Sequence, residues 1–215
     1  MKVLVIAAHP DDELLGCAGT LLKHKERGDS IFACIATQAH GDLWKEEYKI
    51  KKLEEANLVD SIMGFSKRYF CKIPTLHLSS IPTITVNSVI GNVVNEVQPD
   101  IIYTHHEHDV NKDHGMVYEA VMTATRPIIR KTKVYCFETL SSTEWSNKPF
   151  QPNYYVDISK HINKKIEAFC VYESEVKQYP HPRSPEGIKI LAQKRGIEIC
   201  TEYAESFIIA RDYWT

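Results

Sequence analysis

The sequence predicts an α/β fold, a Rossmann-like three-layer α/β/α arrangement with a mostly parallel sheet. Two observations carry that reading. Short apolar, β-branched runs of the kind buried in parallel strands (Val3 to Ile6, Ile31 to Thr37, Ile101 to Thr104, Val134 to Glu138) alternate with helical periodicities. Two of these runs also end in polar loops dense in acids and histidines, the place where open α/β sheets bind ligands.

The first strand runs into Ala7-Ala8-His9-Pro10-Asp11-Asp12-Glu13, and a helix follows from Leu14 to Arg27, with Leu14, Leu15, Ala18, Leu21 and Leu22 at helical spacing. Three acids in one turn repel each other unless a cation or proton offsets them, and a bound metal is the simplest offset. His9 and Asp12, three residues apart, can aim at one point and leave Asp11 beside it. Capping and the helix dipole account for Glu13 by itself. The loop has no G-x-G-x-x-G, so a dinucleotide site is not expected.

Ile31 to Thr37 ends in a polar loop through His40, Gly41 and Asp42. A charged helix is expected over 43 to 59, turning Leu53, Ala56 and Val59 inward, and a short third strand over Ile62 to Phe65 and Tyr69-Phe70. A helix from Val86 to Val97 stops at Gln98-Pro99-Asp100. The strand Ile101 to Thr104 then repeats the opening architecture: it leads into the loop His105 to Gly115 and a helix from Met116 to Thr125. Four of the ten histidines fall in this loop. After Val134 to Glu138 comes the loop Thr139 to Trp145. A β segment follows at Tyr154 to Ile158, then a helix Ile162 to Tyr172 with Ser159 as N-cap. A proline-stiffened loop, Tyr179 to Pro185, leads to a helix Glu186 to Gly196 with Gly196 as C-cap, and Tyr203 to Ala210 closes the chain as a strand. The expectation is a single domain over 1–215, with a core over 1–138 and a smaller lobe over 139–215 packed on it.

The formal net charge of −2 recruits neither nucleic acid nor an anionic membrane. The six cysteines stand singly and read as reduced thiols of a cytoplasmic protein, no leader precedes Val3, and no apolar run is long enough to span a bilayer.

A catalytic zinc usually takes three protein ligands and keeps one position for water, whose pKa it lowers towards about 7. His9 and Asp12 supply two, and His114, near a helix start where a neutral imidazole is favoured, is the best third. Asp11 is then placed as general base, a role worth roughly a hundredfold or more in rate. A His or Asn of the second loop can help the metal stabilise the oxyanion.

The A-H-P-D-D-E run, paired with the D-H at Asp113-His114 after a P-D-I-I-Y-T-H strand, resembles the LmbE-like (PIG-L) N-acetylglucosaminyl deacetylase family. The likeness extends to Phe137–Trp145 and Glu202–Phe207. It implies zinc-dependent hydrolysis of an N-acetyl group on an amino sugar or its conjugate, with His9, Asp12 and His114 as metal ligands, Asp11 as base and Asp113 orienting a neighbouring donor. Fe2+ and Co2+ suit the same donors. Many members read H-P-D-H where this chain has Asn111-Lys112-Asp113-His114. Asn111 donates a hydrogen bond but is no acid, so His108, His106 or Asp11 itself is left to protonate the amine. Trp145, Ser141, Ser142 and Glu144 are candidates to bind the sugar, His181 and Arg183 to close over the site, and Lys51 or Lys52 to grip the substrate. The expected partners are a small-molecule amino-sugar substrate and further copies of the chain in a homo-oligomer. The alternatives are an amidase for another N-acyl metabolite and a non-catalytic metal- or sugar-binding protein.

Overall fold

The computed structural model describes residues 1–41, 44–128 and 130–214. Seven strands form one sheet: β1 (Lys2–Ala7), β2 (Ser30–Gln38), β3 (Lys67–Pro74), β4 (Ile101–His105), β5 (Lys133–Phe137), β6 (Tyr154–Asp157) and β7 (Ala204–Arg211), in the spatial order β3-β2-β1-β4-β5-β7-β6. All run parallel except β7, which is antiparallel to both of its neighbours. The helices are α1 (Asp12–Glu26), α2 (Glu46–Met63), α3 (Thr83–Val97), α4 (Lys112–Ala124), α5 (Ile162–Cys170) and α6 (Pro185–Ile197).

Strand alternation sorts the core into two layers. Val3 and Val5 of β1 join Leu14, Leu21, Ala56, Val59 and Phe169 on the face covered by α1, α2 and α5. Leu4 and Ile6 join Val86, Ile90, Val94, Val117 and Val121 beneath α3 and α4. Chain order therefore reverses direction between β1 and β4, and the loops leaving those two strands diverge to opposite faces. That leaves a crevice at their carboxyl ends, the usual ligand position in such sheets. Residues 139–215 contribute β6 and β7 to the same sheet, with α5 beside α1 and α6 against β7.

Helix α1 is broken at Cys17, whose backbone (φ −152°, ψ 19°) is not helical. A break frees amides and carbonyls that must find partners when buried. Glu205 of β7 accepts the Gly19 and Thr20 amides at 2.9 and 2.7 Å. Lys165 of α5 donates to the Leu15 carbonyl at 2.7 Å and to Glu205 at 2.6 Å. The closing Glu202–Phe207 motif thus serves the helix that carries the first motif. Gly16 lets β5 pack closely on α1: a Cβ there would lie 2.3 Å from the Phe137 ring.

Several local expectations are corrected. Ile62 and Met63 end α2, and Gly64, at φ 70°, is its left-handed terminus, so the third strand starts only at Lys67. Leu53 is 49% exposed, whereas Ala56 and Val59 are buried. The expected helix start at Leu43, and Asp42 before it, lie outside the described residues. Helix α4 begins at Lys112 rather than Met116 because Asn111 caps it, its side chain accepting the Asp113 amide. Ser159 does not cap α5: its hydroxyl donates to Asp157, and His161 precedes the helix. Gly196 lies inside α6, where a Cβ would meet the Thr201 carbonyl oxygen at 2.6 Å. Among the described residues no helix is long and apolar enough to cross a membrane.

Removing one partner of a buried ion pair strands the other charge, at a cost of about 3–5 kcal/mol. Lys165→Met should lower the unfolding free energy, read from denaturant titration, by an amount in that range, and the Lys165→Met, Glu205→Gln double variant should lose less than the sum of the single losses. Additive losses would show that the two side chains do not act as a pair.

Candidate active site

The loop after β1 is anchored from both sides. The Ala8 amide donates to His105 Nε2 at 2.9 Å, and the Ala8 carbonyl accepts the Thr37 amide and hydroxyl. The chain then turns sharply. Asp11, 2% exposed, precedes α1 with φ 131°, a conformation that costs a non-glycine residue about 1–3 kcal/mol. Glu13 holds the turn: its Oε2 accepts the Asp11 amide, and its Oε1 accepts Arg68 Nη1 and the Tyr172 hydroxyl at 2.9 and 3.1 Å. The capping reading of Glu13 stands, and a buried ion pair to β3 is added to it.

Across the crevice, the first turn of α4 carries Asp113 and His114. His9 Nδ1, Asp12 Oδ2 and His114 Nε2 form a nearly equilateral triangle with edges of 3.1, 3.2 and 3.3 Å. Three donors at about 2.0–2.1 Å from one tetrahedral ion stand roughly 3.3 Å apart, so this donor set fits a divalent cation. Asp12 Oδ1 is buried without a hydrogen-bond partner.

Each imidazole meets a carboxylate at its far nitrogen. Asp113 Oδ2 lies 3.3 Å from His9 Nε2 and accepts the Leu76 amide at 2.9 Å. Asp109 Oδ2 lies 3.1 Å from His114 Nδ1, off the axis of a well-formed hydrogen bond. Asp109 is itself held by the Asn111 amide and by the Ser142 and Thr143 hydroxyls. Such outer carboxylates fix the ring orientation of metal-binding histidines.

The protonation pattern follows from this crowding. Burial pulls the His9 and His114 imidazoles down, but Asp113 and Asp12 around His9, and Asp12 and Asp109 around His114, outweigh it and raise them to about 10 and about 9. Burial works to raise Asp12, yet His114 leads the groups that hold it well below the carboxylate range. Burial also works to raise Asp109, but the nearby His114 imidazole and its bonds from Ser142 and the Asn111 amide bring it to about 2. Asp11 is pushed up to about 8 by burial, against the pull of Arg183, whose Nη1 donates to its Oδ2 at 2.8 Å. His105 is held neutral by burial and stacks on His114 with centroids 3.9 Å apart.

A cavity of about 500 Å³ opens beside the triangle, within the size range of small-molecule sites. His9, Asp11 and Asn111 line one end of it, and Trp44, Tyr48, Lys52, Phe70, Glu175 and Arg183 contribute to the rest. Arg183 comes from the proline-stiffened loop and also donates to the Ser141 hydroxyl at 2.7 Å. Other expected residues lie elsewhere. His108 is 3.3 Å from both Glu107 and Lys148, outside the cavity lining. His106 packs edge-on against Phe150. Glu144 accepts the Ser141 and Ser142 amides and Ser142 binds Asp109, so these groups are spent within the loop. Trp145 is 59% exposed and Lys51 pairs with Glu173, both away from the cavity; Lys52, not Lys51, reaches it. Asp109, Glu175 and the Glu13–Arg68–Tyr172 group were not anticipated. Only Asp109, an acid in the same loop as His114, left a signal in the sequence.

With this geometry in view, residues 4–125 match the PIG-L family, described as GlcNAc-PI de-N-acetylase. The chain belongs to that family. The matched segment contains both motif loops and all three triangle residues. The Escherichia coli (strain K12) protein YaiS, called an uncharacterized deacetylase, is 28% identical over 184 residues, 80% of this chain and 90% of its own length. The diacetylchitobiose deacetylase of Thermococcus kodakarensis is 26% identical over 188 residues, 81% of this chain and 70% of its own length. The fold is also shared by GalB, the 4-carboxy-2-hydroxymuconate hydratase of Pseudomonas putida KT2440, with a TM-score of 0.80 at 20% identity, covering 100% of this chain and 98% of that one. At that identity the match speaks for the architecture alone, and a fold does not fix a reaction.

In the metal-free protein, His9 and His114 keep protons that the unfolded chain loses near pH 6.5. Their stabilising contribution is complete below that pH and is lost as pH rises through about 9 to 10. Asp11, with its raised pKa, tilts stability the same way between about pH 4 and 8. Denaturant midpoints of chelator-treated protein should fall from pH 6.5 to 10 more steeply than those of zinc-loaded protein. Parallel profiles would contradict this placement of the three side chains.

Proposed function

We propose that the chain is a metal-dependent N-deacetylase that removes an acetyl group from an amino sugar or amino-sugar conjugate. The observation that carries this reading is a carboxylate, Asp11, left outside a triangle of three metal-donor atoms and facing the same cavity. A protein that only binds a metal or a sugar has no need of that fourth group. Family membership and the deacetylase relatives support the acetyl group as the one removed.

His9, Asp12 and His114 would hold the ion, with Zn2+ the expected metal and Fe2+ or Co2+ suited to the same donors. When bound, it supplies Lewis acidity to the attacking water and to the acyl oxygen. Asp11 takes the proton of the water as general base, in a buried position that disfavours its charged form. Arg183 keeps that carboxylate oriented. Asn111 spends its Oδ1 on capping α4, which leaves its Nδ2 hydrogens at the cavity wall to donate to the acyl oxygen as charge develops. His9, committed to the ion, is the only histidine lining the cavity among the described residues, so Asp11 returns its proton to the leaving amine. Asp113 and Asp109 act through His9 and His114 and are positioning residues.

Purified zinc-loaded protein should release acetate from N-acetylated amino sugars. Asp11→Asn should lower that rate by roughly a hundredfold or more while retaining zinc. His114→Ala should lose the metal, and Asp109→Ala should weaken zinc binding by about 10–100-fold in a competition titration. An Asp11→Asn protein with full activity would refute the assignment, and release of a longer acid in preference to acetate would turn it into a different amidase.

A further inference from the structure

The cavity beside the triangle carries positive charge that the reaction above does not use. The chain as a whole is slightly acidic, with 28 Asp and Glu against 26 Lys and Arg. Among the described residues the cavity wall reverses that balance, setting Lys49, Lys52, Lys72 and Arg183 against Asp11 and Glu175. Both acids are already engaged. Glu175 meets Lys52 at 3.1 Å and Arg183 at 3.3 Å, and Asp11 meets Arg183. Lys49 and Lys72 remain. Lys49 has a contact at 3.1 Å with Glu46, an i,i+3 pair whose acid is 72% exposed, and such pairs are weak in water. Lys72 is exposed and makes no ion pair among the described residues.

The backbone delivers Lys72 to this wall at a cost. Between Ile35 and Thr37 the β2–β3 register slips by one residue, and Lys72 sits at the slip with φ 57°. A left-handed conformation disfavours a residue with a Cβ by about 1–2 kcal/mol. A lysine rather than a glycine occupies that strained position and, with Phe70, lines the cavity. Trp44, Tyr48 and Phe70 supply aromatic faces for a sugar ring, while His9, Asp11 and Asn111 gather at the reacting end. A neutral sugar would leave the Lys72 ammonium to solvent and Lys49 to its weak pair with Glu46. An anionic sugar would gain charge-assisted contacts from them and a faster encounter.

We infer that the amino-sugar substrate bears an anionic substituent, a phosphate or a carboxylate, and that Lys72 and Lys49 bind it in this cavity. The inference rests on the deacetylase reading, and its test separates the two. Acetate release is measured with zinc-loaded protein on N-acetylglucosamine, N-acetylglucosamine 1-phosphate and N-acetylmuramic acid. At least one charged sugar should show kcat/KM about tenfold or more above the neutral one, mainly through KM, and the advantage should shrink as salt rises. Which charged sugar wins separates phosphate from carboxylate. Lys72→Gln should lower the charged-to-neutral ratio by about tenfold, and because a ratio is read, partial misfolding does not imitate the effect. Equal or better turnover of the neutral sugar, or a ratio unmoved by Lys72→Gln, overturns the subsite and leaves the deacetylase reading standing. If none of the sugars yields acetate, deacetylation of simple amino sugars is ruled out. Calorimetric binding of the same three compounds to wild type and Lys72→Gln then decides the subsite: tighter charge-dependent binding by wild type supports it, and equal binding overturns it.

Discussion

Two imidazole nitrogens and one carboxylate oxygen, each bearing a lone pair, converge within 3.3 Å of one another at the carboxyl ends of β1 and β4. Such an arrangement is repulsive unless a proton or a cation sits among the three atoms. Much of the surrounding structure can be understood as holding them there. Asp113 and Asp109 clamp the outer nitrogens. Glu13 with Arg68 and Tyr172 fixes the turn that presents Asp12. The Lys165–Glu205 pair stitches the break in α1, the helix that begins at Asp12. Burial strengthens each of these contacts and raises the cost of losing any one of them.

The same turn explains the special position of Asp11. A backbone at φ 131° points its side chain away from the triangle and toward the cavity, where Arg183 meets it. Two adjacent aspartates in one loop are thereby given different surroundings. Asp12 faces imidazoles and is held ionised; Asp11 is buried against the cavity wall and drawn toward its protonated form. Unlike surroundings of this kind give two like carboxylates different protonation behaviour.

Charge in the cavity extends that logic to the substrate. Among the described residues the acids that line it meet Arg183 and Lys52, and the rest of the wall carries aromatic surface and ammonium groups. The slip between β2 and β3 brings Phe70 and Lys72 to this wall, and β2 lies beside β1 in the sheet, so a strand that anchors the first motif loop also shapes the cavity.

The parallel sheet, the crevice loops and the three convergent side chains were legible in the residues themselves, because apolar strands bracketed by acid- and histidine-rich loops constrain local chemistry over a few positions. His9, Asp12 and His114 could be picked out since each sits in a short motif at a helix start. What the sequence could not specify were relations between residues far apart along the chain. Arg183 reaches Asp11 across 172 positions, Lys165 and Glu205 repair a helix that periodicity presents as unbroken, and Lys72 enters the cavity through a register slip. Ser159 and Gly196 depart from their expected caps for a nearer reason: the Ser159 hydroxyl turns back to Asp157, and α6 runs on to Ile197 with Gly196 packed against the Thr201 carbonyl. The sequence thus determined which atoms are able to bind a metal and where the sheet would place them. Tertiary packing alone decided which carboxylate stays outside, which histidines turn away, and what charge the substrate meets, because those outcomes depend on burial and on partners that only folding brings together.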